Sequence, residues 1–373
     1  MTAKTRIILK HFFIISNIVL SCCLLLLHAL PYVNQSDFWF INLFAITLPF
    51  LLLAQLCFLV VWLFFKSKWS WLPVITLLLT WKFITVFYAF KVKEPEKARI
   101  FSDHSLRITT WNVRLFNYQQ NYTFFDTPML NKITELNADI ISLQEMMYAK
   151  DKNDQLSLDS MCRKLGFQYS AAGFEDESFK PYKSKFTYCG VIFSKYPIVA
   201  VKTIRATDAN NSDFLYADIK VKNDTIRVFN FHLQSLLFTR QDYNALSEVR
   251  KGKVENALPG GKAILKKMKI AYAMRAQQVN NILPEVENSP YPVVVCGDFN
   301  DVPVSYTYQK LSYNLLDAQR EAGKGIGRSF KFISPTLRID YILSDKRMKP
   351  VNAFIDRIHA SDHFPFTADF QLK

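Results

Sequence analysis

Six short polar clusters, each set at the end of an apolar run, hold most of the residues in this chain that can do chemistry. Leu106–Asn112 ends in Thr110-Trp111-Asn112, and Ile140–Gln144 runs into Gln144-Glu145. Thr225–His232 closes on Asn230-Phe231-His232, and the most apolar run, Val293–Gly297, leads into Gly297-Asp298-Phe299-Asn300. Arg338-Ile339-Asp340-Tyr341 and Ser361-Asp362-His363-Phe364-Pro365 complete the set. Taken singly these are ordinary: an Asp after a strand is as readily a turn former or helix cap, a Glu a surface charge, a His a structural residue. Together they are a reaction kit. Asn112 and Glu145 offer hard oxygen ligands suited to Mg²⁺ or Mn²⁺. Asp298 and Asn300, two apart on one turn, can orient a water and a phosphate oxygen. His363 can act as a general base, with Asp340 fixing its tautomer and stabilising its cation. His232 can donate to a phosphoryl oxygen. A metal, an activated water and charge stabilisation around phosphorus are what hydrolysis of a phosphate ester requires.

Such groups must be held by rigid elements, and strand ends serve that purpose. The β-rich runs predict strands over Leu106–Asn112, Ile140–Gln144, Gly190–Phe193, Phe214–Val221, Thr225–His232, Val293–Gly297, Ile339–Leu343 and Phe366–Phe370. Helical spacing predicts helices over Met129–Leu136, Ser157–Leu165, Ile264–Leu283 and Val304–Leu311. Helices interspersed among mostly β segments indicate an α/β or α+β domain.

The six clusters, in this order across Leu106–Lys373, resemble the ordered motifs of the endonuclease/exonuclease/phosphatase superfamily. That resemblance implies a four-layer α/β sandwich: two packed mixed β-sheets flanked by helices. It implies a divalent metal, Mg²⁺ or Mn²⁺, held by Glu145 with Asn112 and Asp362. It implies that Asp298 orients or deprotonates the attacking water or serves the metal, that Asn300 and His232 hold the phosphate, and that Asp340 and His363 supply proton transfer or transition-state stabilisation. Members related to abasic-site endonucleases carry Tyr where this chain has His232, and Asp where it has Arg114; Arg338 also replaces the aromatic neighbourhood of their pockets. Pancreatic-type deoxyribonucleases carry Arg where this chain has Met147. The resemblance therefore points toward the phosphodiesterase and sphingomyelinase branches. Nucleic acid, phospholipid and small phosphoesters remain as substrate classes, because fold and motif do not fix a substrate.

Composition separates this domain from what precedes it. The chain has 373 residues, 50% hydrophobic and 21% charged, with a net charge of +14. Six of the 46 basic residues and one of the 32 acidic residues precede residue 91, leaving 40 and 31 beyond it. Residues 1–90 contain three apolar runs, about 12–33, 38–65 and 71–90, each long enough to cross a bilayer. Lys82 in the third is tolerable only if it snorkels or faces protein. The first run lacks a small-x-small cleavage site and is followed at once by the second, so an uncleaved anchor is expected. Lys4, Arg6 and Lys10 before the first run, and Lys66 and Lys68 between the second and third, predict an inside N-terminus. Three spans then place the large domain outside the cytoplasm, although Lys91, Lys93, Lys97 and Arg99 after the third run oppose this. The expected layout is a three-helix transmembrane segment at 1–90, a linker at 91–105 and a catalytic domain at 106–373.

Three further readings follow. Cys162, Cys189 and Cys296 are odd in number and lack CxxC spacing, so neither a disulfide framework nor a zinc motif is expected. Arg240–Arg275 is rich in Lys and Arg. It reads either as a solvated face or as a lip attracting nucleic acid or anionic lipid. Three helices with one charged residue make a poor transport pathway, so anchoring is the expected role. The competing functional class is a non-catalytic metal- or polyanion-binding module on a membrane stem.

Overall fold

The computed structural model of the protein describes residues 2–97, 105–117, 127–173, 185–207, 210–239 and 254–372, with positions 241, 242, 244, 246 and 248 between the last two ranges. Residues 98–104 of the expected linker, and Arg240, Arg250, Lys251 and Lys253 of the basic segment, lie outside the described residues.

The apolar N-terminal quarter folds as an antiparallel bundle. Helix α1 (Ala3–Leu26) continues as a 3₁₀ turn (Leu27–Tyr32), α2 (Ile41–Ile46) leads into α3 (Leu48–Phe64), and α4 (Trp71–Leu79) into α5 (Trp81–Phe87). Among the described residues, only the stretch Lys4–Tyr32 is by itself a helix long and apolar enough to cross a membrane. The second and third expected runs are not single continuous helices of that length. The second run breaks at Thr47, just before Pro49 in the first turn of α3, where proline is tolerated because its missing N–H has no intrahelical acceptor. The third run bends by 58° between α4 and α5. Thr80 at that bend turns its hydroxyl back onto the Thr76 carbonyl (2.8 Å), a bond that commonly bends helices. A buried polar chain joins α1 to α3. Trp62 Nε1 donates to Asn17 Oδ1, Asn17 Nδ2 to Gln55 Oε1, and Gln55 Nε2 to Ser21 Oγ, each at 3.1 Å. The outward face is apolar, with Phe12, Phe50, Val60 and Phe64 more than half exposed.

Beyond the bundle, β1 (Ala89–Phe90) pairs with β11 (Lys324–Gly325). One sheet has the order β10-β12-β9-β8-β7-β6: Leu316–Asp317, Asp340–Ser344, Val293–Asp298, Asp224–His232, Asn210–Val221 and Ile198–Thr207. The other has the order β13-β14-β2-β3-β5-β4: Lys349–Ile355, Phe366–Gln371, Ser105–Asn112, Ile140–Ala149, Phe186–Ser194 and Tyr169–Ala172. Both are mixed, with one parallel pair each, β8–β9 and β2–β3. The eight expected strands are the eight inner strands of these sheets. All four edge strands were unforeseen. Edge strands are half-solvated and tolerate charge and proline; β6 carries exposed Val199 and Lys202, and β13 opens on Lys349-Pro350 with a bulge. Their composition therefore does not announce them.

The sheets pack face to face over Ile108, Ile192, Val228, Val294, Ile342 and Phe366. Helices α6 (Thr127–Glu135) and α7 (Leu158–Lys164) cover the outer face of the second sheet through Met129, Ile133 and Met161. Along β8 the side chains alternate as strand geometry demands: Ile226 and Val228 enter the core between the sheets, while Phe229 and Phe231 face outward. That outward face is covered by α8 (Val254–Glu287), α9 (Tyr306–Leu311) and one end of the bundle. A short helix α10 (Ala318–Ala322) follows. The four-layer sandwich is thus present, with Leu24, Leu27, Leu48, Phe83 and Val86 of the bundle sharing a core with Phe231, Phe299 and Tyr341. Polar bonds fix this junction. Arg338 Nη2 donates to the Val86 carbonyl (2.8 Å), Gln309 Nε2 to that of Leu27 (3.1 Å), and Tyr306 N to Asn42 Oδ1 (3.2 Å).

Candidate active site

Both sheets deliver their polar strand ends to one place. The β8–β9 register sets His232 opposite Asp298, and the β9–β12 register sets Asp298 opposite Asp340. Gly297 makes the first pairing possible: at φ +138°, a Cβ there would lie 2.0 Å from the Phe231 carbonyl oxygen. Across the cleft, β2 ends at Asn112. Glu145 sits at φ +51° where the β3–β5 pairing slips between Leu143 and Met146. A slip of this kind re-aims a side chain away from strict alternation. The two sheets are pinned beneath the site by buried amides. Gln144 Nε2 donates to Thr110 Oγ1 (3.0 Å) and Asn230 Oδ1 (2.7 Å), and Asn230 Nδ2 donates to the carbonyls of Leu143 and Val191.

The eight expected site residues converge. Asn112 Nδ2 donates to Glu145 Oε1 (3.1 Å) and Asp298 Oδ2 (3.2 Å), while its Oδ1 accepts from Arg114 N (3.0 Å). In this orientation the amide nitrogen, not the oxygen, faces the two carboxylates. His232 Nε2 stands 3.6 Å from Glu145 Oε1 and 3.8 Å from Asp298 Oδ2. Asn300, at φ +50°, donates its backbone N–H to Asp298 Oδ1 (2.8 Å) and its side-chain amide to the Leu233 carbonyl (2.9 Å). His363 Nδ1 binds Asp340 Oδ2 at 2.9 Å, and its Nε2 lies 3.6 Å from Asp298 Oδ2. Asp362 is paired with Arg114 Nε at 3.3 Å, on the rim. Arg114, Leu115 and Phe116 all have positive φ, so the turn after β2 is strained, as functional turns often are.

Charge explains the inner pair. Burial would lower the His363 pKa, but the carboxylates of Asp340 and Asp298 outweigh it and hold the imidazolium well above its usual range. Burial pushes Asp340 upward, opposed by that imidazolium. The proton therefore rests on His363 at neutral pH. Ser329 supports Asp340 from below, its Oγ accepting the backbone N–H groups of Ile339 (2.9 Å) and Asp340 (3.0 Å).

A divalent cation fits this donor set. Glu145, Asp298, Asp340 and Asp362 bring four carboxylates to one cleft, and hard oxygen donors are what Mg²⁺ and Mn²⁺ take. Asp298, Asp340 and His363 also offer ligand atoms within 4.8 Å of one another. That trio is already satisfied internally, because Asp340 is engaged by His363. The freer oxygens are those of Glu145, whose side chain is 28% exposed.

Several supporting residues escaped the sequence reading. Asn230 had a signal: it lies in the inward register of β8 among apolar residues. Ser329 had none. Arg338, which stands where abasic-site relatives have an aromatic neighbourhood, is fully buried, paired with Asp317 (2.8 Å) and tied to the bundle. Met147 is buried, so its own side chain does not line the cleft surface.

The sequence model of the Endonuclease/Exonuclease/phosphatase family matches residues 109–363, and one described as a domain of unknown function matches residues 10–87. No curated protein matches the chain. Among solved structures, an endonuclease/exonuclease/phosphatase from Beutenbergia cavernae DSM 12333 is similar at TM-score 0.53 and 18% identity, covering 72% of each chain. One from Bacteroides vulgatus is similar at TM-score 0.52 and 16% identity, over 72% of this chain and 99% of that one. A family protein from Bacteroides thetaiotaomicron gives 0.50 and 13%, over 72% and 95%.

Proposed function

The chain belongs to the endonuclease/exonuclease/phosphatase family, and from that premise we propose that it is a membrane-anchored, divalent-metal-dependent phosphodiesterase. The observation that carries this reading is the convergence of Asn112, Glu145, His232, Asp298, Asn300, Asp340 and His363 from both sheets onto one cleft. Glu145, with Asn112 and Asp362, would hold Mg²⁺ or Mn²⁺; for Asn112 this requires its amide to turn its oxygen inward. When bound, the cation supplies charge neutralisation at a phosphate oxygen. Asp298, an acceptor fixed by the Asn300 N–H and Asn112, orients the attacking water. Asn300 and His232 hold the phosphate. The His363 imidazolium, fixed by Asp340, stabilises charge developing on the phosphoryl oxygens and can pass its Nε2 proton to the leaving oxygen.

Anchoring is supported by the shape of the bundle. The contacts of Phe13 with Trp62 and of Asn17 with Gln55 set α1 and α3 antiparallel, which brings Lys4, Arg6 and Lys10 to the same end as Lys66 and Lys68. The catalytic domain is docked at the opposite end, through Leu27, Asn42 and Val86. A 17-residue α3 and the bent α4–α5 pair lie at the short limit for a span, and the buried Asn17–Gln55–Ser21 bonds between α1 and α3 are the kind that join helices in lipid. With three spans and basic residues on the cytoplasmic side, the active site is extracytoplasmic.

The test uses the full chain in detergent with bis(p-nitrophenyl) phosphate. Turnover is expected with Mg²⁺ or Mn²⁺ and not with chelator. Asp298→Ala and His363→Ala should each lose on the order of 10³-fold. Metal binding without turnover, or unchanged activity in both variants, overturns the reading.

A further inference from the structure

Resting on the membrane-anchored phosphodiesterase reading, we propose that the substrate is the phosphodiester of a lipid headgroup in the same bilayer, presented to the cleft by an apolar and basic surface beside it. The two chain segments that leave the catalytic cleft both run to the stretch of chain between α1 and α3. His232 is followed within four residues by Leu236, and Leu236 and Phe238 pack with Ile264, Met268 and Tyr272 of α8 against Trp39, Leu43 and Ile46. Asn300 is followed by Asp301 and Val302, and the segment ends on Tyr306 N, which donates to Asn42 Oδ1 at 3.2 Å. If α1 and α3 cross a membrane, the chain from 33 to 47 lies at its surface. Four residues of extended chain reach at most about 14 Å, so His232 cannot be far above the headgroups.

The surface there has the chemistry for that neighbour. Phe38 and Phe40 are 45% and 44% exposed beside Trp39, as aromatic residues at a bilayer interface are. Leu237, held at φ +48° between the two packed residues Leu236 and Phe238, is 68% exposed. Lys262, Leu265, Lys266, Lys269 and Ile270 follow helical spacing and form one exposed stripe on α8, with Leu265 44% and Ile270 50% exposed. Leucine and isoleucine interleaved with lysines suit the headgroup–acyl boundary of an anionic bilayer, where apolar burial and charge attraction add. They suit a nucleic acid less well, since exposed aliphatic side chains gain nothing from a phosphate backbone. In the reaction, a water oxygen bonds to phosphorus and one ester P–O bond breaks. The departing oxygen takes a proton, leaving an alcohol and a phosphomonoester.

The experiment places the full chain in nanodiscs of mixed anionic and zwitterionic phospholipid. Lipid products are followed by mass spectrometry, with supercoiled plasmid and bis(p-nitrophenyl) phosphate as parallel substrates. The wild type should consume lipid of its own disc and leave plasmid intact. Leu237→Ser with Lys266→Glu and Lys269→Glu should lower lipid turnover at least tenfold and leave the soluble substrate within twofold. Plasmid nicking with intact lipid, or equal lipid turnover by this variant, overturns the proposal. Loss of all activity in the wild type instead overturns the hydrolase reading. Seating is read independently of turnover by fluorophores on Leu237→Cys, Ile270→Cys and Asn223→Cys, with Cys22, Cys23 and Cys57 replaced by alanine. Headgroup-labelled quencher lipid should quench the first two and spare Asn223, at the far end of β8. Uniform quenching, or none, refutes the contact.

Discussion

Breaking the buried pair Asp317–Arg338 should destabilise the catalytic domain more than any surface change and should uncouple it from the bundle. Arg338 is fully buried; its Nη1 meets both Asp317 oxygens (3.0 and 2.8 Å) and its Nη2 the Val86 carbonyl. Asp317 also accepts from Tyr308 Oη (2.9 Å) and caps α10 through Gln319 N (3.0 Å). Asp317→Asn keeps an acceptor for the cap but strands a buried guanidinium, which costs about 3–5 kcal/mol. For a domain of this size that corresponds to a fall in Tm of roughly 10 °C. Arg338→Met strands the carboxylate instead, and a loss of about 3 kcal/mol is expected. The double variant removes both charges together, so its loss should be smaller than that of the worse single variant, with a coupling of at least about 2 kcal/mol. Tryptophan fluorescence during thermal and urea unfolding of the full chain in nanodiscs measures all three. Additive losses, or a single-variant loss under about 1 kcal/mol, would refute the reasoning. Because Asp340 lies two residues downstream on the same segment, Arg338→Met should also lower kcat with little change in KM.

Asp340→Asn should reduce kcat by on the order of 10²–10⁴-fold, since an amide neither stabilises the imidazolium nor enforces its tautomer; retained kcat would remove Asp340 from the mechanism. Gly297→Ala drives a methyl to 2.0 Å from the Phe231 carbonyl and should abolish folding or activity; a wild-type melting curve would contradict the β8–β9 geometry. In the bundle, Gln55→Leu leaves Asn17 Nδ2 and Ser21 Oγ without that partner and should weaken helix association by about 1 kcal/mol, read as a lower unfolding midpoint in detergent. Burial opposes ionisation of Asp356, but Lys97 and Lys132 outweigh it and hold its pKa below the usual carboxylate range. A depressed folded pKa stabilises above the unfolded value of about 3.9 and is lost as pH falls below it. Asp356→Asn should therefore lower Tm at pH 7 and flatten its fall toward pH 3; a steeper fall would reverse the assignment.

Apolar run length and the polar residues that end each run mark the inner strands and the inventory of reactive groups in the amino-acid sequence. Val293-Val294-Val295 and its counterparts are buried on both faces, so they read as continuous apolar runs. The polar residues ending those runs contrast sharply with them. Edge strands such as β6 and β13 carry no such contrast, because one side of each meets water. Run length likewise marks the N-terminal quarter as apolar, but not where its helices break, because Thr47 and Thr80 act through local backbone bonds. What folding alone settled is orientation and partnership. Pairing register aimed Glu145 out of alternation and brought the Asn112 amide against the Glu145 and Asp298 carboxylates. It gave Arg338 to the bundle rather than to the pocket. Chain composition sets which side chains are available and which runs must be buried. Residues more than 200 positions apart, such as Val86 and Arg338, meet only when both apolar faces close on a common core, and that closure decides which charge faces which.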